Sequence, residues 1–147
     1  MDDDWIEIKK TKKNNKTNKN TKIKTNEEII SIITDTLKIY NPSHIFLYGS
    51  RARKTHRIDS DVDLIVFWKY PAPSIDDILI IKSELINNIG LNVDFVNMVI
   101  TNKYISVYDE RTLCYYDNIS RDGINIYNTA NNIDLKILLN YSVRITS

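Results

Sequence analysis

Three aspartates stand inside, or at the mouth of, runs that otherwise read as core. Asp61-Val62-Asp63 opens the apolar run Leu64-Ile65-Val66-Phe67-Trp68, and Asp94 sits within Val93-Asp94-Phe95-Val96. A soluble domain rarely places acids in core strands without a cation to hold. Side chains alternate along a strand, so Asp61 and Asp63 share a face with Cα atoms ~6.6 Å apart. Asp94 can join them from a strand ~4.8 Å away if its register matches. Unpaired, such a cluster repels itself and protonates. Around Mg²⁺ it becomes a hard oxygen site with room for water and phosphate. Two such ions ~4 Å apart can clamp the attacking and leaving oxygens of an in-line displacement.

Upstream lies a complementary feature. The run His44-Ile45-Phe46-Leu47-Tyr48 ends at Gly49-Ser50, followed at once by Arg51, Arg53 and Lys54. Glycine lets the backbone turn sharply and approach a ligand closely. The amides that open the next helix, with its dipole behind them, favour an anion. Ser50 adds a hydroxyl for a phosphate oxygen, and at least one of the basic side chains is expected to reach a triphosphate. Asp-x-Asp or Gly-Ser alone is weak; strand, Gly-Ser, ten residues, Asp-x-Asp on a strand and a later strand Asp, in that order, is specific.

The elements that must position these groups follow from pattern. Thr25 and Glu28 form a capping box ahead of Ile29, Ile30, Ile33, Leu37 and Tyr40, and Asn41-Pro42 ends that helix. Residues 44–48 and 61–68 read as strands with a brief helix through Lys54 between them. Ser74 caps a helix with the stripe Ile75, Ile78, Leu79, Lys82, Leu85, Ile86, Ile89, closed by Gly90. A third strand spans 92–98, a helix 109–121, and a short edge strand 124–127. Ile133, Ile137, Leu138 and Tyr141 predict a last amphipathic helix. This is an α/β (α+β) domain with a small mixed sheet of three to four strands and helices on one face.

Size and composition bound the rest. The chain has 147 residues, 42% hydrophobic and 27% charged, which fits one domain. No apolar run approaches the ~18 residues of a membrane span. The acidic start Met1-Asp2-Asp3-Asp4-Trp5 lacks a signal-peptide core, and the lone Cys114 suits a reducing compartment, so a cytoplasmic location is expected. Cys114 itself reads as a small buried hydrophobe on a helix. Residues 1–24 carry eight lysines against four acids, so within a formal total of +1 the remainder holds −3. This Lys/Asn-rich tail is expected to be disordered, with loose RNA contact as its functional reading and a low-complexity tail as the plainer one. The domain proper then covers 25–128, and 129–147 form a helical C-terminal extension.

Gly49-Ser50-Arg51-Ala52-Arg53 through Ser60-Asp61-Val62-Asp63-Leu64 resembles the signature of the polymerase-beta-like nucleotidyltransferase superfamily, closest to its minimal nucleotidyltransferase branch. The resemblance runs through Val93-Asp94-Phe95-Val96 to Ile119–Tyr127, and departs at Lys54, where that branch commonly carries glycine. It implies that Gly49 and Ser50 hold the phosphates of ATP or another NTP, with Arg51 and Arg53 the basic residues expected beside them. Asp61 and Asp63 would bind two Mg²⁺ ions, with Asp94 on one of them while helping to deprotonate a hydroxyl acceptor. In the resembled branch that acceptor can be a tyrosine of a HEPN-type RNase partner. Two further readings stand beside an active transferase: an antitoxin-like subunit that works by docking alone, and an RNA-associated protein using the Lys-rich tail.

Other residues have plain readings. His44 and His56 lack metal-ligand spacing, and Trp68 and Phe67 end a core strand. Tyr104, Tyr108, Tyr115 and Tyr116 are read as packing ahead of adenine stacking, and Tyr127 as packing beside its strand. Asp59 and Ser60 either brace the acidic loop or form its turn.

Overall fold

The computed structural model describes residues 24–105, 109–128 and 133–145. Five strands form one sheet in the order β4-β1-β2-β3-β5: β1 His44–Tyr48, β2 Val62–Trp68, β3 Val93–Ile100, β4 Ile124–Asn128 and β5 Ser142–Arg144. The helices are α1 Asn26–Leu37, α2 Gly49–Arg53, α3 Ile75–Ile89, α4 Glu110–Asp122 and α5 Leu135–Asn140. β2 and β3 are parallel, joined by α3; the other pairs are antiparallel.

α1 starts where its capping box requires. Thr25 Oγ1 accepts from the Glu28 amide at 3.1 Å, and Glu28 Oε1 accepts from the Thr25 amide at 2.9 Å. Ile29, Ile33 and Leu37 recur every four residues and are buried. A 3-10 turn, Lys38–Tyr40, and a left-handed Asn41 end it before Pro42. In α3, Ser74 caps the Asp77 amide and Gly90 closes the helix at φ 84°. The buried line is Ile81, Leu85 and Ile89, whereas Ile75 and Leu79, expected inward, are exposed. The run Ile78-Leu79-Ile80-Ile81 offers apolar side chains in every direction, and contact with α1 and the sheet selects among them.

Both sheet faces are covered, not one. α1 and α3 pack on Ile45, Leu47, Leu64, Val66 and Trp68; α4 and α5 pack on Phe46, Ile65, Phe67, Val96 and Met98. Strand alternation sends neighbouring residues to opposite cores, which is why β1 is buried at every position. The C-terminal segment, expected as a helical extension, supplies α5 and a fifth strand that pairs Val99 with Val143. Cys114 is exposed, because α4 turns only Tyr116 and Ile119 fully inward. Among the described residues no helix is long and apolar enough to cross a membrane. The Lys-rich segment 1–23 and Tyr108 lie outside the described residues.

Candidate active site

Register assembles the acids. Across three adjacent strands Tyr48 pairs with Asp63, and Asp63 pairs with Asp94. All three share the sheet face that carries Phe46, Ile65, Phe67 and Val96. The parallel register that Asp94 needed is therefore present. Asp61 immediately precedes β2, where the Val62 amide makes the first bond to the Asn92 carbonyl, 2.9 Å.

Asp63 is the acid most altered by its surroundings. Asp63 is half-buried, and its carboxyl is pushed up to about 6, first by burial, then by the charges of Asp94 and Asp61, with Arg53 and Arg51 partly offsetting them. Burial and the two neighbouring acids both penalise the charged form of this carboxyl, and a divalent cation bound between the acids would offset both. Among the described residues no group of three His, Cys, Asp or Glu side chains closes on a metal by itself. An open, carboxylate-lined edge suits Mg²⁺, which keeps water and substrate phosphate in its shell, better than a cation needing a full protein cage.

Gly49 makes the complementary surface. It opens α2 at φ 72°, a left-handed conformation that favours glycine. A Cβ built there would run into the Asp63 carboxylate, with Cγ 3.0 Å and Cβ 3.3 Å away. The turn thus brings bare backbone against the central acid. Tyr48 precedes α2 without a side-chain cap, so no side chain there covers the first-turn amides.

The basic residues divide. Arg51 was expected on the triphosphate, but it is only 2% exposed. Its Nε and Nη2 donate to the Ser60 carbonyl at 3.2 and 2.9 Å, and Nη2 also reaches the Ile58 carbonyl at 3.3 Å. Nη1 donates to Asn26 Oδ1 at 2.9 Å. Arg51 therefore shapes the loop that delivers Asp61, because a buried guanidinium takes the carbonyls within reach. Arg53 is exposed, pairs with Asp122 at 3.1 Å and lies near enough to Asp63 to lower its proton affinity. Lys54 caps α2 in the left-handed region at φ 63°, a glycine-favouring position. Ser60 closes a turn, its hydroxyl accepting from the Arg57 amide at 2.8 Å.

Sequence reading passed over Tyr48. Its hydroxyl donates to Asp94 Oδ2 at 3.0 Å and meets the Tyr115 hydroxyl at 3.3 Å. Burial first, then Tyr115 and Asp94, raise its pKa far above the ordinary phenol value. Only its parity with Phe46, two residues before it on the same strand, placed it on the acidic face.

With this geometry in place, comparison with known proteins is decisive at the family level. The family model described as polymerase beta, nucleotidyltransferase matches residues 27–132. The chain belongs to that family. It is a nucleotidyltransferase of mixed α/β fold, as the sequence resemblance implied. No curated relative matches the sequence at a significant level. Among solved structures, a toxin–antitoxin with AMP-PNP superposes with a TM-score of 0.55 at 17% identity, over 74% of this chain and 79% of that one. Two mutants of the toxin–antitoxin MntA-HpeT give TM-scores of 0.53 and 0.51 at 16% and 18% identity, covering 74% and 78% of this chain and 79% of each match. At such identities the likeness concerns the fold.

Proposed function

We propose that this nucleotidyltransferase moves AMP from Mg-bound ATP to a hydroxyl of a partner protein, releasing pyrophosphate. The observation that carries the reading is the row Gly49, Asp63, Asp94: bare backbone under one acid, and a second acid in register beside it. Gly49 and Ser50 hold the phosphates, and Asp61 and Asp63 hold the metal–triphosphate. Asp94 would hold one metal and would receive the proton of the attacking hydroxyl. Bound Mg²⁺ would neutralise the phosphate oxygens and the charge developing on the leaving group. Arg53, exposed at the acidic edge, would be the basic side chain that meets the triphosphate by exchanging its Asp122 contact, whereas Arg51 is buried on loop carbonyls.

The acceptor class rests on two supports. The minimal-branch resemblance implies a tyrosine on a HEPN-type RNase, and the structure with AMP-PNP is of a toxin–antitoxin. The test is transfer of α-labelled AMP from ATP to a HEPN-type partner, with Asp61→Ala/Asp63→Ala as control. Label on the partner that disappears in the double variant supports the proposal. Tight docking with no label in either protein favours a subunit that acts by binding alone.

A further inference from the structure

The contact between Tyr48 and Asp94 does more than fill space. Tyr48 is 7% exposed at the end of β1, with its ring in the core shared by Phe46, Ile65 and Val96. Phenylalanine would satisfy that packing equally; the hydroxyl is needed only for the polar edge it faces. There it donates to Asp94 Oδ2 at 3.0 Å, the one hydrogen bond given to that carboxylate by the described residues. Asp94 is otherwise exposed, so without this bond its χ1 and χ2 are set by little else.

Proton counting gives the arrangement a direction. Tyr48 has one hydroxyl proton, and an ionised carboxylate can only accept. That proton is therefore the one donated in the hydrogen bond to Asp94. The 3.3 Å contact between the Tyr48 and Tyr115 hydroxyls must then use the Tyr115 proton and a Tyr48 lone pair. A relay runs from Tyr115 on α4, through Tyr48 on β1, to Asp94 on β3. It crosses the sheet beside Asp63 and ties the orientation of Asp94 to the docking of α4.

We propose that Tyr48 is a positioning residue of this transferase, aiming the Asp94 carboxylate, and that Tyr115 orients Tyr48. This rests on the role given to Asp94 above. With one lone pair of Oδ2 engaged, Oδ1 is the oxygen with both lone pairs free to meet a metal or an acceptor proton. A carboxylate allowed to rotate spends less time in that pose, and misplacement on the scale of 1 Å can lower turnover about a hundredfold. Because Tyr115 acts only through Tyr48, its loss should be milder and should vanish once Tyr48 is gone.

The experiment compares wild type, Tyr48→Phe, Tyr115→Phe and the double variant. Each is assayed for AMP transfer to a HEPN-type partner, for ATP affinity by calorimetry, and for Mn²⁺ binding with a non-hydrolysable ATP analogue by electron paramagnetic resonance. Tyr48→Phe is expected to lower kcat by about ten- to a hundredfold, leave the KM for ATP within about twofold, and weaken one class of bound Mn²⁺. Tyr115→Phe is expected to lower kcat by a few-fold, and the double variant to match Tyr48→Phe. Full activity and unchanged Mn²⁺ binding in Tyr48→Phe would overturn the assignment, as would loss of ATP affinity and melting temperature together, the mark of a packing role alone. Wild-type protein that binds neither ATP nor Mn²⁺ would remove the transferase reading itself, a separate result.

Discussion

Gly49 lies beneath the carboxylate of Asp63 with no room for a side chain between them. Two independent terms oppose any other residue there: the φ of 72°, and the displacement of Asp63 that a Cβ would force. The first is a fold term of about 1–2 kcal/mol; the second falls on the site. Gly49→Ala should therefore melt only a few degrees lower while losing most of its Mg-ATP affinity, read by calorimetry at matched fractions folded. Intact affinity would place the phosphates away from this turn.

Asp63 carries a stability signature with a definite sign. Its folded carboxyl titrates near 6, above the ordinary carboxylate value, so ionisation favours the unfolded chain. The metal-free protein should lose stability from this group as pH rises from about 4 to about 6 and stay lower above that. Asp63→Asn should raise the melting temperature in EDTA at pH 7.5 and have little effect near pH 4. Mg²⁺ with ATP should stabilise wild type at pH 7.5 by mass action and the variant much less. Thermal melts across that grid of pH and metal check both signs.

Arg51 holds the acidic loop from inside. Removing its guanidinium strands the Ser60 and Ile58 carbonyls and Asn26, at about 2–4 kcal/mol. Lysine keeps the charge but has no fork to span them. Both Arg51→Ala and Arg51→Lys should unfold at clearly lower denaturant, whereas Arg53→Ala should unfold near wild type and lose ATP affinity instead. A wild-type midpoint in Arg51→Lys would mean that charge alone suffices.

Lys54 stands where a left-handed cap is required, and its Cβ disfavours that conformation. Lys54→Gly should stabilise the protein by about 0.5–1 kcal/mol, the relief of strain exceeding the added freedom of the unfolded chain. A chemical denaturation midpoint moved upward confirms it; a downward move would mean that the lysine side chain holds the loop.

What was legible in the sequence has a physical pattern. β1, α2 and β2 could be read because central strands are continuous apolar runs and a glycine marks the turn between them. The register of Asp63 with Asp94 could be stated as a condition but not resolved, since pairing between strands thirty residues apart is a tertiary choice. Arg51 misled because a cation beside Gly-Ser reads as a phosphate ligand, and only the loop path of 57–60 shows which acceptors reach it first. Tyr48 stayed hidden for a related reason: alternation puts it on a face, but not which helix brings Tyr115 to that face. β5 has three residues, too few for any periodicity, and exists because the edge of β3 is there to pair with.

Substitution at Asp94 would separate holding the nucleotide from using it. Asp94 lies beside Asp63 on the same face, yet it is the more exposed of the two and accepts a hydrogen bond from the Tyr48 hydroxyl. Asp94→Asn preserves shape, and its amide oxygen can still accept from Tyr48. What it removes is one negative charge and the basic oxygen. If Asp61 and Asp63 hold the metal–triphosphate, the variant should bind Mg-ATP with near-wild-type affinity. Transfer should fall beyond the ~10²–10⁴-fold typical of losing a general base, since placement of one metal suffers as well. Asp63→Asn should behave differently, losing affinity and turnover together. The paired measurement is calorimetric ATP affinity against label transfer to the partner. Full transfer in Asp94→Asn would overturn the three-carboxylate mechanism, and parallel loss of binding in both variants would make Asp94 part of the nucleotide grip rather than of the attack.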